Sequence, residues 1–152
     1  MVVDFGLPSS TPRLWLIDLT SGGGLDSPLY VAHGKGSDPD GTGRPIRFGD
    51  VDGSLMSSLG AFRGGISYRG VHGLSVRLIG LDGSNRHAFD RHIVLHTSAR
   101  VGPDYVSPAW LERYGKLGTS EGCFVVMAAD FQRVSAALRG GGFLYAGVSN
   151  SS

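Results

Sequence analysis

"RLWLIDLTSGGGLDSPLYVAHG", residues 13 to 34, reads as two apolar runs around a glycine turn: RLWLIDL (13–19), then TSGGG, then PLYVAHG (28–34) as the hairpin partner. The punctuation between the runs is what a reversing chain requires. The pattern continues along the chain, with further strand candidates at AFRGGISY (61–68), LSVRLIG (74–80), RHIVLH (91–96), GCFVVM (122–127) and FLYAGV (143–148). Glycine supplies 25 of the 152 residues, over twice its usual share of roughly 7%, so the backbone turns often. Only ADFQRVSAALR (129–139) carries a convincing helical period, with Phe131, Val134 and Leu138 on one face, Asp130 as N-cap and Gly140 just past the end. SPAWLERYG (107–115) and SNRHAFDR (84–91) are candidates for short helical turns. Six or seven short strands with one or two helices predict a mainly β fold, a sandwich or barrel. No repeat or linker divides residues 1–152, so a single domain is expected.

Composition narrows the function. Fourteen basic residues against thirteen acidic ones leave a net charge of +1, which is no footprint for nucleic acid or an anionic membrane surface. No run approaches the ~18 apolar residues of a membrane span. The start, MVVDFGLPSS, lacks the basic region and apolar core of a signal peptide, and it resembles the trimmed beginning of a mature, exported domain. One cysteine, Cys123, allows no internal disulfide.

Chemistry therefore concentrates on that thiol and on five histidines, His33, His72, His87, His92 and His96. A thiol becomes a nucleophile when something lowers its pKa or removes its proton, and imidazole is the commonest partner. Read alone, Cys123 is equally at home as a small buried hydrophobe. Its approach, Ser120-Glu121-Gly122, adds a turn whose backbone N–H groups could converge on one spot, as an oxyanion hole requires. In RHIVLH, read as a strand, His92 and His96 share a face about 13 Å apart at roughly 3.3 Å per residue, too far to hold one metal. Neither a metal site nor a cofactor is expected. The loop from Lys35 to Gly53 carries Asp38, Asp40, Asp50 and Asp52 without an EF-hand pattern, and reads as a solvated acidic loop. HGKG (33–36) lacks the further glycine and helix of a dinucleotide site.

Beyond these residues, IVLHTSARVGPDYVSPAWLERYGKLGTSEGC (93–123) presents a histidine and then Ser-x-Gly-Cys, and it resembles the L,D-transpeptidase (YkuD-like) catalytic domain, in particular its murein branch. RLWLIDL, VAHGKGS (31–37), SSLGAFR (57–63), YRGVHGLSVRLIGLDGSN (68–85) and LRGGGFLYAG (138–147) extend the similarity over nearly the whole chain. Thr97 stands where a glycine is usual after the histidine. Glu121 and Phe124 replace the usual neighbours of the cysteine, and Val125 and Val126 stand where an arginine is frequent.

The resemblance implies an L,D-transpeptidase-like β-sandwich or barrel in which Cys123 is the nucleophile and His96 the base. Gly122 and Cys123 would offer oxyanion N–H groups, Ser120 would fix the turn, and Glu121 would flank it. The same resemblance places His33 and His72 in the cleft, binding a stem carboxylate or orienting His96, although each is also explicable as a histidine satisfied near a turn. His72, in VHG, is the rival base. Tyr68 and Ser58 are further candidates for substrate contact, with Ser57, Arg63 and Arg77 behind them. His87 and His92 read as surface or structural, and the loop 97–118 as a lid or substrate wall.

The implied partners are peptidoglycan stem peptides, donor and acceptor, handled by a monomer in the bacterial envelope (periplasm) as a carbapenem-sensitive acyltransferase. A hydrolysis-only L,D-carboxypeptidase and a non-catalytic cell-wall-binding domain are the alternatives.

Overall fold

A computed structural model describes residues 1–24, 26–98 and 100–150. Eight strands form one sheet: β1 (Val2–Asp4), β2 (Leu14–Trp15), β3 (Val31–Ala32), β4 (Gly60–Gly70), β5 (Gly73–Gly80), β6 (Val94–His96), β7 (Phe124–Val126) and β8 (Phe143–Gly147). Their order is β2-β1-β8-β4-β5-β6-β7-β3. The two ends of that order meet, because Leu14 and Leu29 exchange backbone hydrogen bonds of 3.0 and 2.8 Å. The sheet is thus a nearly closed barrel, as the mainly β reading required. The expected hairpin from residue 13 to 34 is that closing seam, shorter in regular strand than its apolar runs suggested. Its turn includes Leu25, which lies outside the described residues.

Period 2 sorts the strands that matter for function. Phe124 and Val126 of β7 and Leu95 of β6 point into the main core with Phe5, Phe62, Leu78 and Leu144. Val125, and with it Cys123 and Met127, faces a smaller cluster built from Ala32, Val106 and Leu117. A run buried on both faces explains why GCFVVM shows no polar alternation.

Two helices complete the fold, α1 (Pro108–Tyr114) and α2 (Ala128–Leu138). Ser107 caps α1 by accepting from the Trp110 N–H, Pro108 opens the helix, and Gly115 closes it in the left-handed conformation. In α2 the N-cap is Met127, with Asp130 in the first turn, not at the cap position expected for it. There Asp130 accepts from Arg133 at 3.0 Å, a bond a capping carboxylate would have had to forgo. Residues 84–91 form hydrogen-bonded turns, not a helix. The strand expected over 91–96 begins only at Val94, because His92 adopts φ +58, a left-handed backbone that interrupts the extended chain.

Candidate active site

The site is built where β6 and β7 run parallel, with Leu95 opposite Phe124 and His96 opposite Val125. Stepping that register back two residues sets Cys123 beside Val94, on the same face as His96 and diagonal to it. Above this face opens a cleft of about 770 Å3. Its lining includes Lys35, Asp52 and Leu55, Tyr68 and His72 near the β4–β5 turn, and Tyr105 with Thr119–Glu121. Among the described residues of the long loop 97–118, only Tyr105 reaches the cleft, and much of the rest packs around the smaller core through Val106, Leu111 and Leu117. Ala99 of that loop lies outside the described residues.

Cys123 leaves a turn that is tied down on three sides. The Ser120 hydroxyl donates to the Cys123 carbonyl at 2.7 Å and accepts from the Gly122 N–H at 3.2 Å. Ser120 is itself held through its backbone, donating to the His33 carbonyl (2.9 Å) and accepting from Lys35 N–H (2.7 Å). Gly122 has φ +117, and a Cβ there would stand 2.8 Å from the Met56 carbonyl oxygen, so no other residue fits. The Gly122 N–H, expected to face the developing oxyanion, is instead directed at Ser120 Oγ. Gly34 shows why the HG pair of residues 33–34 needs its glycine: a Cβ would come 2.9 Å from the Gly122 Cα and closer still to the Leu55 carbonyl. Three backbone segments pack directly on one another at this point.

His96 is buried, and its Nδ1 lies 2.7 Å from the Thr97 carbonyl oxygen. A carbonyl only accepts, so Nδ1 carries the proton and Nε2 keeps its lone pair. Burial pushes the His96 pKa down to about 4, with the Thr97 bond opposing and nearby His72 adding to the fall. The Cys123 thiol is half-buried and its pKa is pushed up to about 11, mainly by burial and also by Glu121, against the Val94 N–H and Arg91. The resting pair is therefore thiol and neutral imidazole, not an ion pair. The thiol points its proton at the His92 carbonyl, 3.6 Å away. Among the described residues there is no hydrogen bond between Cys123 and His96.

The remaining candidates separate clearly. His72 lies in the cleft and stacks on His96 with ring centroids 4.0 Å apart and planes 16° from parallel. Its Nδ1 is buried without a partner. Tyr68 and the exposed Glu121 line the cleft as well. His33 does not. It is fully buried, accepting from Arg13 at 2.8 Å on Nδ1 and facing Asp38 across 3.4 Å on Nε2. Phe5 and β3 surround it, so it serves the site through its backbone carbonyl on Ser120. Ser58 is also withdrawn from the cleft, donating to the Gly49 carbonyl and accepting from Arg91. Ser57 is similarly buried, its hydroxyl accepting from the Gly34 N–H. Asp38 and Asp50 correct the picture of a solvated acidic loop. Asp38 is buried under the N–H groups of Thr42 and Gly43, and Asp50 pairs with Arg91 and His87. No group of three or more acidic, histidine or cysteine side chains could hold a metal among the described residues.

A family model described as the L,D-transpeptidase catalytic domain matches residues 1–146. The chain belongs to that family. Neither a curated protein nor a solved structure gave a match. The family acts on peptidoglycan peptides and is typically associated with the cell wall. No helix among the described residues is long and apolar enough to cross a membrane. Two residues that line the cleft carry no signal of it in the sequence. Arg91 and His92 both line it, whereas RHIVLH reads as regular strand. An isolated histidine at a strand start, followed by four residues able to pair, carried no signal that its backbone would turn left-handed.

Proposed function

We propose that the protein is a peptidoglycan L,D-transpeptidase acting through Cys123 and His96. The observation that supports this most is the placing of both side chains on one face of adjacent parallel strands, under one cleft, with the His96 tautomer fixed by Thr97 so that Nε2 is the free base. Substrate binding draws the thiol from the His92 carbonyl toward Nε2. As the proton passes to His96, sulfur attacks the carbonyl of the L-centre at the third position of a stem peptide, typically diaminopimelate. The tetrahedral adduct collapses by breaking the C–N bond to D-alanine, whose amine takes the proton back from His96. The thioester that remains is opened by an amine of a second stem, which gives its proton to His96, and the thiol is regenerated. The cross-link is then of the 3-3 type; a 1-3 link needs a different donor, with the first-position L-alanine as the acylated residue.

With the Gly122 N–H engaged by Ser120, the Cys123 N–H is the oxyanion donor this reading retains. Tyr68 and His72 contact the stem, and His72 also keeps His96 neutral by stacking against it. The site works in the cell envelope, and a carbapenem acylates Cys123 by the same attack on a strained carbonyl.

Wild type, Cys123→Ala and His96→Ala incubated with defined tripeptide and tetrapeptide stems, followed by mass spectrometry, test the reading. A new dimer that requires both residues supports it. Loss of D-alanine without a dimer in the presence of acceptor replaces it with trimming, and untouched stems replace it with a binding role.

A further inference from the structure

Arg91 is set beneath the cysteine turn by an unusual number of contacts. Its guanidinium donates to the carbonyls of Gly49 (3.1 Å) and Met56 (2.8 Å) and to the hydroxyls of Ser58 (2.9 Å) and Ser54 (3.4 Å). Its side chain is 3% exposed, and its one acidic neighbour in ion-pair range, Asp50, stands at 3.5 Å and is shared with His87. The Met56 carbonyl it grips is the same oxygen that a side chain at Gly122 would strike, and one guanidinium nitrogen lies 3.4 Å from where that side chain would begin. The residue following Arg91 supplies the carbonyl on which the thiol rests. Thus a guanidinium cation is clamped against the residue preceding the nucleophile.

We infer that Arg91 is the fixed positive charge of the cysteine site, held by the 49–58 loop so that its field opposes the negative charge gathering on Cys123 sulfur. The inference deepens the transpeptidase reading and rests on it for its role in turnover. The other charged or titratable groups around the cleft do not supply this field. Glu121 and Asp52 are acidic, and His72 and His96 are stacked, so that charging one opposes charging the other. Tyr105 is held protonated, its pKa raised to about 12, chiefly by burial. Lys35 also lines the cleft, but it is Arg91 whose charge is among the main influences on the Cys123 thiol. The electrostatic effect of Arg91 favours the thiolate, against a burial effect that disfavours it more strongly.

The test uses Arg91→Gln, which keeps amide donors but removes charge, and Arg91→Lys, which keeps charge but loses the fork. The rate of iodoacetamide alkylation of the folded proteins at about pH 8.5 reports the thiolate fraction. If Arg91 raises that fraction, Arg91→Gln alkylates about threefold or more slowly even after allowance for the greater nucleophilicity of a more basic thiol, and Arg91→Lys stays near wild type. A purely structural arginine predicts the opposite sign, since loosening the turn would expose the thiol and speed alkylation. Arg91→Gln reacting as fast as wild type, or faster, overturns the inference. Should that variant not fold, Asp50→Asn replaces it: unmasking the guanidinium speeds alkylation, and an unchanged or slower rate overturns the inference. Because the readout needs no peptidoglycan, a slower Arg91→Gln together with no product from any stem by the wild type would sink the transpeptidase reading alone, whereas product formation by the wild type with unchanged alkylation of Arg91→Gln would sink the role of Arg91 alone.

Discussion

At the scale of single residues, the neutral resting pair sets the pH dependence. An enzyme whose thiol and imidazole exchange a proton at rest shows a bell with limbs near its working pH. Here His96 must be unprotonated and Cys123 must carry the proton it is about to give up. With pKa values near 4 and 11, kcat/KM of the folded enzyme should be flat from about pH 6 to 9, falling below that as His96 protonates and above it as Cys123 loses its proton; a limb centred near pH 7 would show that an ion pair is already present. Cys123→Ala should abolish product, and His96→Ala should lower kcat by roughly 10² to 10⁴, the usual worth of a positioned acid–base group. Gly122→Ala is as informative, because its φ of +117 and the nearby Met56 carbonyl exclude a Cβ. The turn must deform, so this smallest of substitutions should cost more turnover than Ser120→Ala, which removes one hydroxyl.

Elements decide which substitutions reach the site. Gly34→Ala drives a methyl into the Leu55 carbonyl and the Gly122 Cα, and overpacking of this kind costs about 1–3 kcal/mol. Both thermal midpoint and turnover should fall together, and loss of stability with full turnover would show that the loop can retreat without moving Cys123. Ser107→Ala removes the α1 cap and should cost about 1 kcal/mol, a few degrees in Tm, with turnover unchanged because α1 sends no side chain into the cleft. The same contrast explains what the sequence disclosed. β4, β5, β8 and α2 were legible because their runs are long and their packing faces are regular. β6 was read three residues too long, since Arg91, His92 and Ile93 have strand-like neighbours and the left-handed residue is a histidine, without the glycine that normally marks such a turn. Cys123 and His96 could be named through the family resemblance of their segments. The withdrawal of His33 and Ser58 from the cleft could not be read, because it depends on Arg13 and Arg91, partners 20 and 33 positions away in the chain.

For the molecule as a whole, those buried histidines fix the response to acid. His33 is held near pKa 4, first by burial and then by the Arg13 charge, against the pull of Asp38, and His96 is held near the same value. In the unfolded chain both return to about 6.5. Above that pH neither state binds the extra protons, and the stability contributed by the neutral rings is fully present. Between about 6.5 and 4 the unfolded state binds up to two protons that the folded state refuses, so stability falls as pH is lowered through this window. Each histidine accounts for a loss on the order of 3 kcal/mol, and the two together form a large share of a typical total of about 5–15 kcal/mol. Asp4 and Asp38 have lowered pKa values, and their folded-state advantage disappears only at still lower pH. Urea midpoints measured from pH 7.5 to 4.5 should therefore begin to drop near pH 6.5, well before the carboxylates titrate. His96→Gln should halve the steepness of that drop by removing one of the two sites while leaving the Arg13–His33–Asp38 cluster intact. A midpoint that stays level from pH 7 to 5 would mean that both rings accept protons in the folded barrel, which would remove the electrostatic basis for treating His96 as a neutral base.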